Sequence, residues 1–130
     1  KVLVFLFFIF AASAASGQNS NPSDKINTYY EYSDSKEYKK AAEVAIEIGD
    51  IYFKAGQYDF ATKFYEFSVN ESERSDDIAL QAKSHYRAGL SSFFYAENSN
   101  SQEKKSELFK DAKKKFQRAA SKYRWLSCSW

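Results

Sequence analysis

The apolar residues of this chain recur at steps of three and four along most of its length, and few residues interrupt the series. Tyr38, Ala41, Ala45, Ile48 and Tyr52 form one such series. This spacing puts apolar side chains on one face of an α-helix, whereas a half-buried strand needs strict alternation, which no segment shows. The chain has only 4 glycines and 1 proline, which also argues against a turn-rich β fold. The sequence therefore predicts an all-α protein.

Capping residues divide this pattern into separate helices. Asn21 and Pro22 predict the start of a short helix, with Asn21 as the N-cap, and Ser35 is predicted to cap the next helix. Gly56 is predicted to end that helix, because glycine readily takes the left-handed conformation found after helices. The remaining predicted helices span about 59–69, from a cap at Ser75 or Asp76 to about 96, and about 103–125, and aromatic residues such as Phe93 and Phe109 are expected in their core.

Residues 1–16 form a distinct apolar segment. Lys1 precedes an uninterrupted apolar run that ends at Phe10, and small residues follow. A charged start, an apolar middle and a small-residue cleavage site are the three parts of a secretory signal peptide. A membrane-spanning helix needs roughly 20 residues, so this run is short for one. The segment is predicted to be either a signal cut near Ala14 or Ser16, or a retained anchor packed between subunits. Both alternatives place the protein outside the cell or at its surface.

Net charge and the cysteine count exclude several classes of function. The 19 basic and 17 acidic residues nearly cancel, so no nucleic-acid partner is predicted, and membrane contact is expected only through residues 1–16. One cysteine, Cys128, and one histidine, His85, cannot supply a zinc site, and no metal or cofactor is predicted. Cys128 is either a free thiol or part of an intermolecular disulfide. A glycosylation sequon at Asn70 is consistent with export.

Residues 42–75 combine small and aromatic residues at characteristic spacings. They include Ile48, Gly49, Tyr52, Gly56, Tyr58, Ala61 and Tyr65. This set resembles one tetratricopeptide repeat, a pair of antiparallel helices in ~34 residues, with small residues where the helices approach and aromatics between them. The chain departs from the family pattern at Ala45, where Trp is common, at Ser68, where Ala is usual, and at Glu73, where the closing Pro would stand. An unrelated helical bundle is the alternative.

A second, degenerate copy of this pattern covers residues 82–122. Gly89 resembles the small residue of the first helix, and Ala112, Phe116 and Ala119 resemble the Ala-aromatic-Ala pattern of the second. The step from glycine to alanine is 12 residues in the first copy and 23 in the second, so an insertion of 11 residues is predicted to lengthen the second helix pair. The predicted domains are the apolar segment 1–16, a linker with a short helix over 17–34, and a repeat domain over 35–130.

The resemblance implies protein–protein interaction, because stacked helix pairs form grooves that receive peptides or helices. About three repeats are usually needed to bury their faces, so two are expected to leave an uncovered end. Residues 1–99 carry 10 basic and 14 acidic side chains, and residues 100–130 carry 9 and 3, so a head-to-tail contact between copies is complementary in charge. The predicted self-interface residues are Phe5, Phe7, Phe8, Phe10, Trp125 and Trp130.

The sequence thus predicts a non-catalytic scaffold that self-assembles outside the cell into an oligomer or filament. The rival interpretation is a secreted monomeric adaptor that binds a different protein in its groove. No catalytic residue is predicted, because His85 has no paired nucleophile and is expected at a helix–helix contact. The carboxylates Glu43, Glu47 and Asp50 are spaced as an exposed helix face. The lysine run over residues 104–115 is expected to be a solvated helix face.

Overall fold

Five helices make up the part of the chain that the computed structural model describes, residues 21–128. They are α1 (Pro22–Asp34), α2 (Tyr38–Lys54), α3 (Tyr58–Glu73), α4 (Ile78–Glu97) and α5 (Gln102–Cys128). Residues 21–128 contain no β-strand. The predicted all-α fold is therefore confirmed.

The helices pack in two layers. Short turns join consecutive helices that pack on one another, which makes neighbours antiparallel. α2 also contacts α4 in one layer, whereas α1 contacts α3 in the other, through Tyr29, whose ring stacks on Phe67 at a centroid distance of 5.5 Å. α5 packs on α4 at the end of the array. Since Tyr29 is only 5% exposed, α1 is part of the packed body although its residues were predicted as a linker with a short helix.

The predicted signals at the start of α1 and the end of α2 are both present. The side chain of Asn21 accepts a hydrogen bond from the backbone N–H of Ser23 at 3.1 Å, and Pro22 is the first residue of α1. Gly56 has a φ of +76°, the left-handed conformation predicted to end α2. These two boundaries follow from the local sequence alone.

Ser35 does not cap α2, so that prediction is wrong. It is the C-cap of α1, where its backbone N–H donates to the carbonyl oxygen of Glu31 at 3.1 Å, and α2 begins only after Glu37. Lys36 lies in the turn between α1 and α2 with a φ of 59°. The chain therefore reverses through a left-handed lysine, a residue type that rarely takes this conformation and that gives no turn signal.

α3 continues past Asn70, where the polar sequence predicted its end. The polar residues that follow have partners within the helical body: Ser72 Oγ donates to the carbonyl oxygen of Val69 at 3.0 Å, and the Glu71 carboxylate accepts from Ser33 of α1 at 3.1 Å. The helix continues because these side chains face inward. Asn70 is exposed, but its sequon lies in a helix and not in the surface loop that such a sequence indicates in a secreted protein.

α4 is capped by Asp77, and not by the predicted Ser75 or Asp76. Asp77 Oδ1 accepts a hydrogen bond from the backbone N–H of Leu80 at 2.9 Å. This bond, helped by Lys39 at 3.2 Å, lowers the pKa of the Asp77 carboxyl. Ser75 instead accepts from the Asp77 backbone N–H at 3.3 Å and so supports the cap from outside the helix.

Replacing Asp77 with alanine should lower the free energy of unfolding by about 1 kcal/mol, because the Leu80 N–H then loses its acceptor at the start of α4. Urea titration followed by circular dichroism measures this. Asp76→Ala is the control, and it should change the free energy by less than about 0.5 kcal/mol because Asp76 is exposed. Equal losses for the two variants would contradict the assignment of the cap.

A glycine determines how closely α2 and α3 approach. The ring of Tyr65 on α3 lies against the backbone of Gly49 on α2, where an added Cβ would be 2.5 Å from Tyr65 Cδ1. Tyr65 is 1% exposed and packs with Ala42 and Ala61. Any side chain at residue 49 would displace this ring, so the helix pair needs glycine there.

The same contact recurs between α4 and α5. A Cβ on Gly89 would lie 2.9 Å from Cδ1 of Phe116. Gly89 follows Gly49 by 40 residues and Phe116 follows Tyr65 by 51, which reproduces the predicted insertion of 11 residues. The helices absorb most of it, because the turn grows only from residues 55–57 to residues 98–101 while α4 and α5 are longer than α2 and α3.

In Gly49→Ala the Tyr65 ring has to move from its core position, which should cost about 1–3 kcal/mol. Alanine gains about 1 kcal/mol in helix propensity, so the free energy of unfolding should fall by about 0–2 kcal/mol in total. Urea titration measures the balance, with exposed Lys83→Ala as a control that should be nearly neutral. A stabilised Gly49→Ala variant would show that the close approach does not constrain the pair.

Some predicted features lie outside the described residues. They are the apolar segment 1–16 and the predicted interface residues Phe5, Phe7, Phe8, Phe10 and Trp130. Among the helices of residues 21–128, none combines the length and the hydropathy needed to cross a membrane.

Candidate binding groove

α4 lies in a groove between α2 and α3, which we call the first groove. Phe94 of α4 contacts Phe53 of α2 at a ring-centroid distance of 5.4 Å and Tyr58 of α3 at 5.5 Å. Leu80 and Ala88 of α4 are buried in the same core cluster. The first groove therefore shows how a single helix docks on a helix pair in this protein.

Polar contacts hold α4 in the first groove. Thr62 Oγ1 and Ser91 Oγ are 2.7 Å apart in a buried hydrogen bond. Arg87 Nη1 donates to Asp50 Oδ1 at 2.6 Å, and the Tyr65 hydroxyl donates to the same oxygen at 2.5 Å. Burial raises the pKa of Tyr65, and its hydrogen bond to the Asp50 carboxylate raises it further, so the hydroxyl keeps its proton.

Each residue of the first groove has a counterpart in the second helix pair, 40 positions later on the first helix and 51 positions later on the second. Phe53 and Tyr58, whose ring centroids are 5.2 Å apart, correspond to Phe93 and Phe109, whose centroids are 5.4 Å apart. The other corresponding pairs are Ala61 with Ala112, Thr62 with Lys113, Tyr65 with Phe116, Glu66 with Gln117, and Val69 with Ala120.

The corresponding surface between α4 and α5, the second groove, is open. It has a volume of about 550 Å³. Phe93, predicted to be in the core, is 40% exposed here, and none of the five described helices covers it. An apolar surface that a soluble domain leaves open often marks an interaction site. The lining residues are Phe93, Phe109, Ala112, Lys113, Phe116, Gln117 and Ala120.

Three of the differences between the two grooves concern the polar side chains that contact α4 in the first groove. Lys113 stands where the first groove has Thr62, and Leu90 stands where it has Asp50. In the first groove the Tyr65 hydroxyl donates to Asp50. The second groove has Phe116 in place of Tyr65 and Leu90 in place of Asp50, so it lacks both the donor and the acceptor of this bond. The second groove is therefore apolar where the first binds an arginine, and positively charged where the first binds a serine.

The nine basic residues of α5 differ in their partners, and Lys104 donates a hydrogen bond to the Tyr95 hydroxyl of α4 at 2.6 Å. The other eight fall into two groups. Lys115 pairs with Glu66 at 2.7 Å and Lys122 with Glu73 at 3.3 Å, and both pairs fasten α5 to the body. Within residues 21–128 the second group, which we call the unpaired cations, makes no ion pair. It consists of Lys105, Lys110, Lys113, Lys114, Arg118 and Arg124.

His85 lies in the core, at the predicted helix–helix contact. Its imidazole is 3% exposed, and Nε2 is 2.7 Å from Glu73 Oε1. Burial alone would raise the pKa of the Glu73 carboxyl, but hydrogen bonds from His85 and Lys122 outweigh burial and lower it. No group of three His, Cys, Asp or Glu side chains that could hold a metal ion occurs among residues 21–128.

The residues predicted to pack the repeats lie at helix–helix contacts, with one exception. Gly56 is at the exposed turn after α2. The buried ones are Ile48, Gly49, Ala61, Tyr65, Gly89, Ala112 and Ala119, and the half-buried ones are Tyr52, Tyr58 and Phe116.

Trp125 and Cys128 lie near the end of α5. Trp125 is 59% exposed and, with Leu126, borders a shallow cleft beside the start of α4. Cys128 is an exposed free thiol.

The second groove was not predicted from the sequence, because its aromatic residues were assigned to the core and its lysine to a solvated face. Phe93 and Phe109 have the helical spacing of core residues, and Lys113 lies in a lysine-rich run. The double shift of 40 and 51 positions could have identified it, since that shift maps an occupied groove onto an unoccupied one.

Comparison of the chain with protein-family models, with curated proteins and with solved structures gives no match. The resemblance to tetratricopeptide repeats therefore depends on the residues of this chain and their contacts.

Glu73→Gln should destabilise the fold at neutral pH by about 0.5–1 kcal/mol, the range of partly exposed ion pairs. Because the pKa of Glu73 is lower in the folded state, the stabilisation is complete above the unfolded pKa and is lost as the pH falls through the folded pKa. The difference from the native protein should therefore shrink below about pH 4. Urea titrations at several pH values measure it. Exposed Glu103→Gln is the control, and a pH-independent loss for Glu73→Gln would contradict the ionic origin.

Proposed function

We propose that this chain is a non-catalytic interaction scaffold of tetratricopeptide-like helix pairs that binds a helix from another protein chain. One observation carries the proposal. The residues that hold α4 in the first groove have counterparts in the second groove, where no described helix is bound. An open groove lined mainly by aromatic and small residues suits the binding of an amphipathic helix.

The two close glycine–aromatic contacts support the tetratricopeptide-like assignment. Gly49 with Tyr65 and Gly89 with Phe116 occupy the small and aromatic positions of that repeat in both helix pairs. A chain with only two such pairs has an end face that a third repeat would cover in a longer array. The second groove is that end face.

A non-catalytic role is supported by the position of His85. The imidazole is buried and its Nε2 is engaged by Glu73, so it has no access to a substrate. Export is proposed from the apolar segment 1–16 and the small residues that follow its apolar run.

Self-assembly of this chain is the second candidate, and the charge distribution favours it. The unpaired cations of α5 give one end of the body a positive surface, whereas residues 1–99 have a net negative charge. A head-to-tail contact between copies would join these surfaces. The pairs of Lys115 with Glu66 and of Lys122 with Glu73 already balance part of this charge within one chain, which weakens the drive towards such a contact.

Sedimentation velocity on the full chain distinguishes the two candidates. Self-assembly through charge predicts a mass that rises with concentration in the micromolar range and falls as salt is raised from about 0.15 to 1 M, because screening shortens from about 8 to 3 Å. A monomer under all conditions selects a different protein as the partner.

The scaffold itself is tested with Ala120→Glu, which puts a carboxylate at an exposed position of the second groove. The variant should lose the proteins that the native chain retains from its own extracellular fraction, or lose self-association, while its circular dichroism stays native. Identical behaviour of the two forms in both measurements would contradict the proposed function of this groove.

A further inference from the structure

We infer that the second groove selects an amphipathic helix of a different protein that carries an apolar residue, a carboxylate four residues later and an aromatic residue three positions after that. This inference rests on the proposed function and specifies the partner's chemistry. It follows from comparing the two grooves position by position.

α4 provides the template for the bound helix. Three of its residues, Arg87, Ser91 and Phe94, make the specific contacts in the first groove: with Asp50, with Thr62, and with the aromatic pair of Phe53 and Tyr58. These three residues are four and then three positions apart, so they lie on one face of α4. A helix bound to the second groove in the same manner presents residues at the same three positions.

The second groove sets a different requirement at two of these positions. Leu90 replaces Asp50, so an arginine at this position would lie against leucine without its carboxylate, and an apolar residue fits better. Lys113 replaces Thr62, so a carboxylate is needed where α4 has a serine. Phe93 and Phe109 keep the aromatic pair, with nearly the same separation, so the third position remains aromatic.

Charge supports this choice of partner. Lys113 lines the groove and has no ion pair within residues 21–128, and Lys105 and Lys110 border a neighbouring cleft that shares Phe109. The groove therefore combines an apolar floor with a positively charged margin. A helix with an apolar stripe and carboxylates beside it is complementary to both features.

The required pattern occurs once in this sequence, at Ile46, Asp50 and Phe53 of α2. Ile46 is 3% exposed, and Asp50 is engaged by Arg87, so these residues are not available to another copy of the folded chain. A second copy therefore does not offer the helix that the second groove specifies, and we assign the helix to a different protein.

A peptide made from α4 tests the inference directly. A fluorescent peptide of residues 78–97 with Arg87→Leu and Ser91→Glu carries the inferred pattern, whereas the unsubstituted peptide carries the pattern of the first groove. We expect the substituted peptide to bind the full chain saturably and about tenfold more tightly in fluorescence anisotropy, because each substitution removes a mismatch with the second groove.

Charge exchange locates the bound peptide. Lys113→Glu in the protein should weaken binding of the substituted peptide about fivefold, as expected for loss of a partly exposed ion pair. A peptide with Ser91→Lys in place of Ser91→Glu should recover that loss on the Lys113→Glu protein. Lys114→Glu is the matched control, since Lys114 is exposed, has the same charge and does not line the groove, so binding should stay within about twofold of native.

Three results would overturn the inference. The first is the absence of saturable binding by the substituted peptide. The second is equal binding of the two peptides without a response to Lys113→Glu. The third is self-association of the full chain that the substituted peptide inhibits, which would make a second copy the occupant. Neither of the first two results affects the proposed function if Ala120→Glu still abolishes the binding that the native chain shows. Failure of this inference and failure of the proposed function are therefore distinguishable.

Discussion

The contact of an aromatic ring with a glycine backbone is the interaction on which the rest of this fold depends. Tyr65 lies where a side chain on residue 49 would be, so α2 and α3 approach more closely than side chains on both helices would allow. This approach brings Ala42 and Ala61 into one cluster and shapes the groove that α4 fills. The contact between Gly89 and Phe116 repeats the arrangement and thereby shapes a second groove of the same kind.

Small hydroxyl residues take many of the buried positions and let the helices pack closely. On α3, Thr62 and Ser68 are buried, and their hydroxyls donate to the carbonyl oxygens of Tyr58 and Tyr65 at 2.7 and 2.6 Å. These bonds stay within the helix and give each hydroxyl proton an acceptor there, and the Thr62 oxygen also pairs with Ser91 of α4. Hydroxyl side chains therefore serve as small core residues here.

Local signals in the sequence were sufficient for some features of the fold and insufficient for others. Asn21 and Gly56 act on their own backbone, and both were predicted correctly. The end of α3 was not predicted correctly, because Glu71 stays helical through a contact with Ser33 of α1 that no local pattern reveals. The second groove could not be predicted from local signals at all. Phe93 is a core residue if another helix packs beside α4 and α5 and a surface residue if none does, and its helical spacing is the same in both cases.

The differences between the two grooves also oppose an exchange of α4 between copies. A second groove identical to the first would accept α4 of a neighbouring molecule, and each exchange would leave another groove free, which produces open-ended assembly. Leu90 and Lys113 remove that match, because Arg87 would lie against leucine and Ser91 would leave an ammonium group without a carboxylate. In the proposed interaction these two differences keep the aromatic pair of the groove and disfavour α4 as its ligand. Specificity of the proposed interaction would come from the mismatch with the chain's own helix as much as from attraction to another one.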